Sequence, residues 1–224
     1  MKKAVVLVSG GLDSATVLAI AKSANYQIHA ISFDYGQKHK IELEMAKQLA
    51  HAYDASHMVI SLDQEVFASS ALVSQSLEVP KFARLSDVEN IVPVTYVPAR
   101  NTLFLSYALS YAESIAAFDI FIGIHASDAA QYPDCRPQFI DRFQELANVA
   151  TATERKISIH APLLFLTKAQ IVERGIKLGV NYANTVSCYN PSSQPLACGR
   201  CLACIVRLDA FEQNNLVDPA KYQK

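Results

Sequence analysis

An apolar run, Ala4 to Val8, passes through Ser9-Gly10-Gly11-Leu12-Asp13-Ser14 into a helix-forming run, Ala15 to Ala21. A strand, a glycine turn and a helix start in that order form a phosphate-binding site. Gly10 and Gly11 open backbone conformations closed to other residues and allow close approach to a ligand. The N–H groups of the turn and of the first helical turn then point at an anion, and the helix dipole favours negative charge there. Asp13 and Ser14 add oxygens suited to a magnesium ion or to the phosphates. A Walker loop would end in Gly-Lys-Ser/Thr, but no lysine occurs between Lys3 and Lys22.

The rest of the chain supplies the context this turn needs. Lys3 to Val8, Gln27 to Ser32, His57 to Ile60 and Asp119 to Ile124 read as short buried strands. Ser14 to Ser23, Lys38 to Tyr53, Asn101 to Phe118 and Arg136 to Ala152 read as helices. Phe139, Ile140, Phe143, Leu146, Ala147 and Ala150 make one apolar stripe on the last helix, whereas Asn101 to Phe118 is apolar nearly all round and is expected to be central. Strands alternating with helices predict a doubly wound α/β fold, a parallel sheet with helices on both faces. Ligands in such sheets bind beyond the carboxyl ends of the strands, where the Ser9 to Ser14 turn lies. Ser69 to Pro93 lacks periodicity and is expected as a lid.

Cys188, Cys198, Cys201 and Cys204 follow the spacing C-x9-C-x2-C-x2-C. Four thiolates from a short loop suit a tetrahedral zinc site, with Gly199 allowing the tight turn and Arg200 and Arg207 offsetting thiolate charge. An iron–sulfur cluster and metal-free thiols are the rival readings; ferredoxins continue with x3-Cys-Pro, which is absent here. With no open coordination position the metal would be structural, pinning the segment 181–224 onto the α/β domain spanning 1–180 that carries the phosphate-binding turn. The fifth cysteine, Cys135, reads as a buried inert thiol.

A formal net charge of −1 over 224 residues argues against a general grip on nucleic acid or anionic lipid. No stretch approaches the roughly 20 apolar residues of a spanning helix. The cysteines are not spread like a disulfide framework, so a reducing cytoplasm is the expected setting.

The loop resembles that of the ATP pyrophosphatases, which cleave ATP between the α- and β-phosphates. With Val97 to Asn101, Tyr132 to Pro137, Leu166 to Ala169 and the four-cysteine tail, the whole chain resembles the 7-cyano-7-deazaguanine synthase family of the queuosine pathway. The resemblance implies an adenine-nucleotide alpha-hydrolase-like fold and a ligase acting on 7-carboxy-7-deazaguanine, ammonia and ATP with Mg2+. It implies adenylation of the carboxylate, then of the amide, and a homodimeric assembly. ATP binding falls by similarity on Val8, Ser9, Gly10, Gly11, Leu12, Asp13, Ser14, Ala15, Thr16, Val17 and Leu18. Asp13, Arg100 and Lys168 are the catalytic candidates. Arg100, Arg136, Asp128 and Asp134 are the substrate-binding candidates, the arginines for anions and the aspartates for the N–H groups of the base. A tRNA sulfur transferase or another ammonia-dependent synthetase is the alternative; neither a basic surface nor an obvious persulfide cysteine favours the former. The family's commoner pattern has asparagine at His125, tyrosine at Ala129, glycine at Gln131 and Ala99, and tryptophan at Val186.

Overall fold

The computed structural model of the chain describes residues 1–89, 91–125, 131–192 and 196–223. Its centre is a parallel sheet of β1 (Lys2–Leu7), β2 (Tyr26–Asp34), β3 (Ser56–Ser61), β4 (Asp119–Phe121) and β5 (Ser158–His160). The strand order is β3-β2-β1-β4-β5, with Val5 opposite His29 on one side and Ile120 on the other. The chain winds outward from β1 in one direction, then returns and winds in the other, so the order reverses between β1 and β4. That is where an open sheet leaves a crevice at its carboxyl edge.

Buried on both faces, β1 carries an unbroken apolar run, as expected for a central parallel strand. Val5 and Leu7 face one core with Leu105 and Ala108 of α3 (Arg100–Ser114) and Ile140 and Phe143 of α4 (Pro137–Ala150). Ala4 and Val6 face the other, shared by α1 (Leu12–Ser23), α2 (Ile41–Ala52), α5 (Lys168–Lys177) and α6 (Leu202–Gln213). The doubly wound arrangement read from the alternation of strands and helices is the one found.

Several local expectations are corrected. Buried positions of α3 are confined to one face (Asn101, Leu105, Ala108, Leu109 and Ala112), and Tyr107 is exposed. The helix stops at Ser114 rather than Phe118 because Ala116 takes a left-handed conformation (φ 53°) and the Ala117 N–H turns back to the Ala112 carbonyl. On α4 the apolar stripe narrows to Ile140, Phe143 and Ala147 with Phe139 half-buried beside them, while Leu146 and Ala150 face solvent. As the edge strand, β3 leaves Met58 and Val59 exposed. Neither β5 nor the helices α5 and α6 were expected.

The segment expected as a lid begins inside the molecule. Ser70 to Val73 are buried, the Ala71 N–H bonds to the Val94 carbonyl, and the Phe82 N–H bonds to the Arg200 carbonyl in the cysteine loop. The C-terminal segment is tied in as well, since Ala210 and Phe211 of α6 share the core of α1. Among the described residues, no helix is long and apolar enough to cross a membrane.

Candidate active site

At the carboxyl edge of β1 and β4 opens a cleft of about 280 Å³. Leu7, Val8 and Ser9 form one lip, and Ile122 to Ile124 the other. Gly10 has φ +80°, a conformation that suits glycine, and a Cβ there would run into the Glu42 carbonyl, with Met45 Cβ at 2.9 Å and Ala46 N at 3.0 Å. The turn is therefore clamped on the first turn of α2. From the other side, the Val186 N–H bonds to the Gly10 carbonyl at 2.9 Å.

Gly11 is the N-cap of α1, extended and without a side-chain cap, so the first helical turn keeps its N–H groups for something outside the helix. Among the described residues, the Gly11 and Leu12 N–H groups meet only the hydroxyls of Ser9 and Ser187, at 3.4 and 3.5 Å. Val8, Ser9, Gly11, Asp13 and Ser14 line the cleft. Of the other residues assigned to ATP by similarity, Ala15, Val17 and Leu18 are core residues with no exposed surface, and Thr16 is spent on Tyr182 through a 2.8 Å hydrogen bond. Leu12, although the first residue of α1, is buried too, its side chain packed in the core with Ala15 and Leu18.

The catalytic candidates come together. Lys168, the first residue of α5, donates to both oxygens of Asp13 at 2.8 and 2.7 Å and lies 2.9 Å from His125 Nε2. Burial pushes the Asp13 carboxyl up, but the charges of Lys168, His125 and Arg207 outweigh it and hold the group below its ordinary value. Arg100, at the start of α3, lines the same cleft, donates to the Tyr35 hydroxyl at 3.1 Å and lies against the rings of Tyr35 and Phe104. Ala99 before it has φ 49°, which accounts for glycine in the commoner pattern.

The substrate-binding candidates are scattered. Asp134 is buried beside a side cavity of about 60 Å³ and accepts the Asn101 backbone N–H at 2.9 Å, so it caps α3. Arg136 is exposed at the N-cap of α4 and does not line the cleft. Asp128 and Ala129 lie outside the described residues. Sequence reasoning missed Tyr35, Gln37 and Glu42, which line the cleft. The signal for Tyr35 and Gln37 was the Tyr35-Gly36-Gln37 turn directly after β2, at the ligand edge of the sheet, with Gly36 at φ +81°; Glu42 had none.

Near the cleft, the four cysteine sulfurs of the C-terminal loop all lie within 4.8 Å of one another, with Cys198 to Cys204 and Cys188 to Cys201 at 4.0 Å. Thiolates about 2.3 Å from a single ion at the corners of a tetrahedron would stand about 3.8 Å apart, so this donor set fits one metal ion. Backbone N–H groups of Tyr189, Asn190, Cys198 and Cys201 aim at the sulfurs, as they would at thiolates. Hydrogen bonds from Cys188 and Cys204 hold the Cys201 thiol well below the usual range. Arg207 does not offset this charge as expected. Its guanidinium is taken by Asp218, Thr185, Ser187 and Tyr182, and at Arg200 it is the backbone N–H that approaches a sulfur.

A glycine turn at the switch point of a doubly wound parallel sheet, opening a helix over an Asp–Lys pair, defines an α/β protein with a helix N-terminus facing a cleft at the carboxyl edge of its sheet. The chain belongs to the family of queuosine biosynthesis protein QueC, which it matches over residues 3–215. It is 54% identical to the 7-cyano-7-deazaguanine synthase of Rickettsia felis, with 99% of this chain and 100% of that protein covered. It is 53% identical to the protein of the same name from Rickettsia prowazekii, again over 99% and 100%. The fold also resembles that of a predicted tRNA methyltransferase subunit from Methanocaldococcus jannaschii (TM-score 0.51, 19% identity, covering 79% of this chain and 74% of that one).

Proposed function

We propose that the chain converts 7-carboxy-7-deazaguanine, ammonia and ATP to 7-cyano-7-deazaguanine, a precursor in queuosine synthesis. The names of its relatives supply the product, and the observation that carries the reading is the N–H array of the Gly11 to Ser14 turn facing a cleft with Asp13, Arg100 and Lys168 on its walls. The turn binds the ATP phosphates. Lys168 and Arg100 hold the negative charge that builds on the departing pyrophosphate and on the substrate carboxylate. Asp13 and Ser14 would hold magnesium, which when bound neutralises phosphate charge. The Arg100 guanidinium orients the carboxylate two-prongedly. A carboxylate or amide oxygen is a poor leaving group until adenylated, so both activations call for the same phosphate-binding turn. The four cysteines would hold zinc, which fixes the loop 188–204 against the cleft and enters no step.

The reading is tested by incubating the purified chain with magnesium-ATP, ammonium and 7-carboxy-7-deazaguanine and following products by mass spectrometry. The nitrile and AMP are expected together. ATP cleavage without nitrile would overturn the substrate, and neither product from metal-replete protein would overturn the reaction. Elemental analysis of the same preparation is expected to give zinc equimolar with the chain; iron with labile sulfide would replace zinc by a cluster.

A further inference from the structure

Glu42 is a cleft carboxylate that the proposed steps do not use. It belongs to the first turn of α2, the turn that Gly10 is clamped against, so its backbone is fixed relative to the phosphate-binding turn. Asp13 and Glu42 are the two carboxylates among the described residues lining the cleft. They differ sharply. Both oxygens of Asp13 are held by the Lys168 ammonium. The Glu42 side chain makes no hydrogen bond or ion pair with the described residues.

The chemistry proposed above needs a base. When ammonia adds to the acyl adenylate, the C–N bond forms, the C–O bond to AMP breaks, and one N–H proton must leave to give the neutral amide. When the amide oxygen is adenylated and AMP departs again, the remaining two N–H protons leave as the nitrile forms. Every proton that came with the nitrogen is lost at one centre. Asp13, tied to an ammonium, is a poor acceptor, and Lys168 and Arg100 are cations.

We propose that Glu42 is the base that takes these protons from the nitrogen one at a time in both halves of the reaction, giving each up to solvent water before it accepts the next, an inference that rests on the function proposed above. Burial pushes its carboxyl up to about 7, with the positive charge of Arg100 opposing, which places it where a general base works best at neutral pH. The groups acting on it are Arg100 from α3 and Tyr35 from the turn after β2, and Asp13 and Lys168 line the same cleft. Arg100 stays charged, and burial raises the Tyr35 hydroxyl, so neither titrates near neutrality.

The test is Glu42→Gln, which keeps the side chain's size and removes the base. Nitrile turnover is expected to fall about 10²–10⁴-fold. Carboxylate-dependent exchange of pyrophosphate into ATP, which precedes any N–H loss, is expected to persist. The wild-type rate should drop below about pH 7 as Glu42 is protonated, and that acid limb should be missing from the residual activity of Glu42→Gln but present in Glu42→Asp. Nitrile turnover within a few-fold of wild type, an acid limb that survives in Glu42→Gln, or loss of the exchange reaction along with nitrile formation would each overturn the assignment. A wild-type chain that forms no nitrile would instead remove the reaction on which it rests.

Discussion

Lys168→Met is expected to lower nitrile turnover by about 10²–10³-fold, the usual cost of removing one fixed charge from a site where negative charge develops. The position of Lys168 is set from its own helix. Thr167 and Gln170 form a reciprocal cap at the start of α5, the hydroxyl accepting the Gln170 N–H at 3.2 Å and the amide oxygen accepting the Thr167 N–H at 2.9 Å. A cation in the first turn stands against the helix dipole. The structure tolerates it because both oxygens of Asp13 face it. Methionine keeps the stem and deletes the ammonium, so the effect is on charge more than on packing. Because Asp13 already satisfies Lys168 before ATP arrives, the loss should fall on kcat more than on the KM for ATP. With Lys168 gone, the strongest influence opposing the burial of Asp13 disappears, and its carboxyl moves up. Steady-state kinetics with a thermal melt as control decide the matter: turnover within about threefold of wild type, in a folded variant, would show that Lys168 serves only to neutralise Asp13.

What the sequence made legible was local. The glycine turn was readable because a strand, two glycines and a helix follow one another within some twenty residues, and the four-cysteine cluster because three of its members sit at x2 spacing. The start of α1 was placed two residues late, at Ser14, because its N-cap is Gly11, which offers no capping side chain to read. Conversely, Thr167 and Gln170 carry a cap signal for α5, and the apolar pair Ile171 and Val172 follows it, but the helix is only ten residues long and Gly175 interrupts its pattern. The three residues of β5 are too few for any periodicity to show. Glu42 reads as one more acidic residue in a helix with Glu44 beside it; only the tertiary cleft gives it a different environment. The same holds for Asp134, whose role as the cap of α3 depends on a residue 33 positions away.

Arg207→Met is expected to cost about 3–5 kcal/mol of folding stability in the zinc-loaded chain, the range for breaking a buried ion pair from one side. The guanidinium and the Asp218 carboxylate are 3% and 1% exposed and meet at 2.8 and 2.9 Å through two parallel N–H donors. The remaining donors reach the Tyr182 carbonyl at 2.9 Å and the Thr185 hydroxyl at 2.7 Å, with the Ser187 hydroxyl at 3.3 Å. One side chain thus holds α6, the tail at 218 and the stretch 182–187 together. That stretch supplies the Val186 N–H to the Gly10 carbonyl, so the damage should extend to ATP affinity. Burial alone would raise the Asp218 carboxyl, but the hydrogen bond and charge of Arg207 outweigh it and hold it below the ordinary value of 3.8. A carboxyl lowered by folding adds stability that is complete above its unfolded value and is lost as pH falls through its folded one. The gap between wild type and Asp218→Asn should therefore be full at pH 7 and close only on strong acidification, below 3.8. Urea unfolding of both variants at neutral and acid pH measures it. A loss under about 1 kcal/mol for Arg207→Met would place the pair among solvent-screened surface bridges and leave the Gly10 turn supported by the core of α1 and α2 alone.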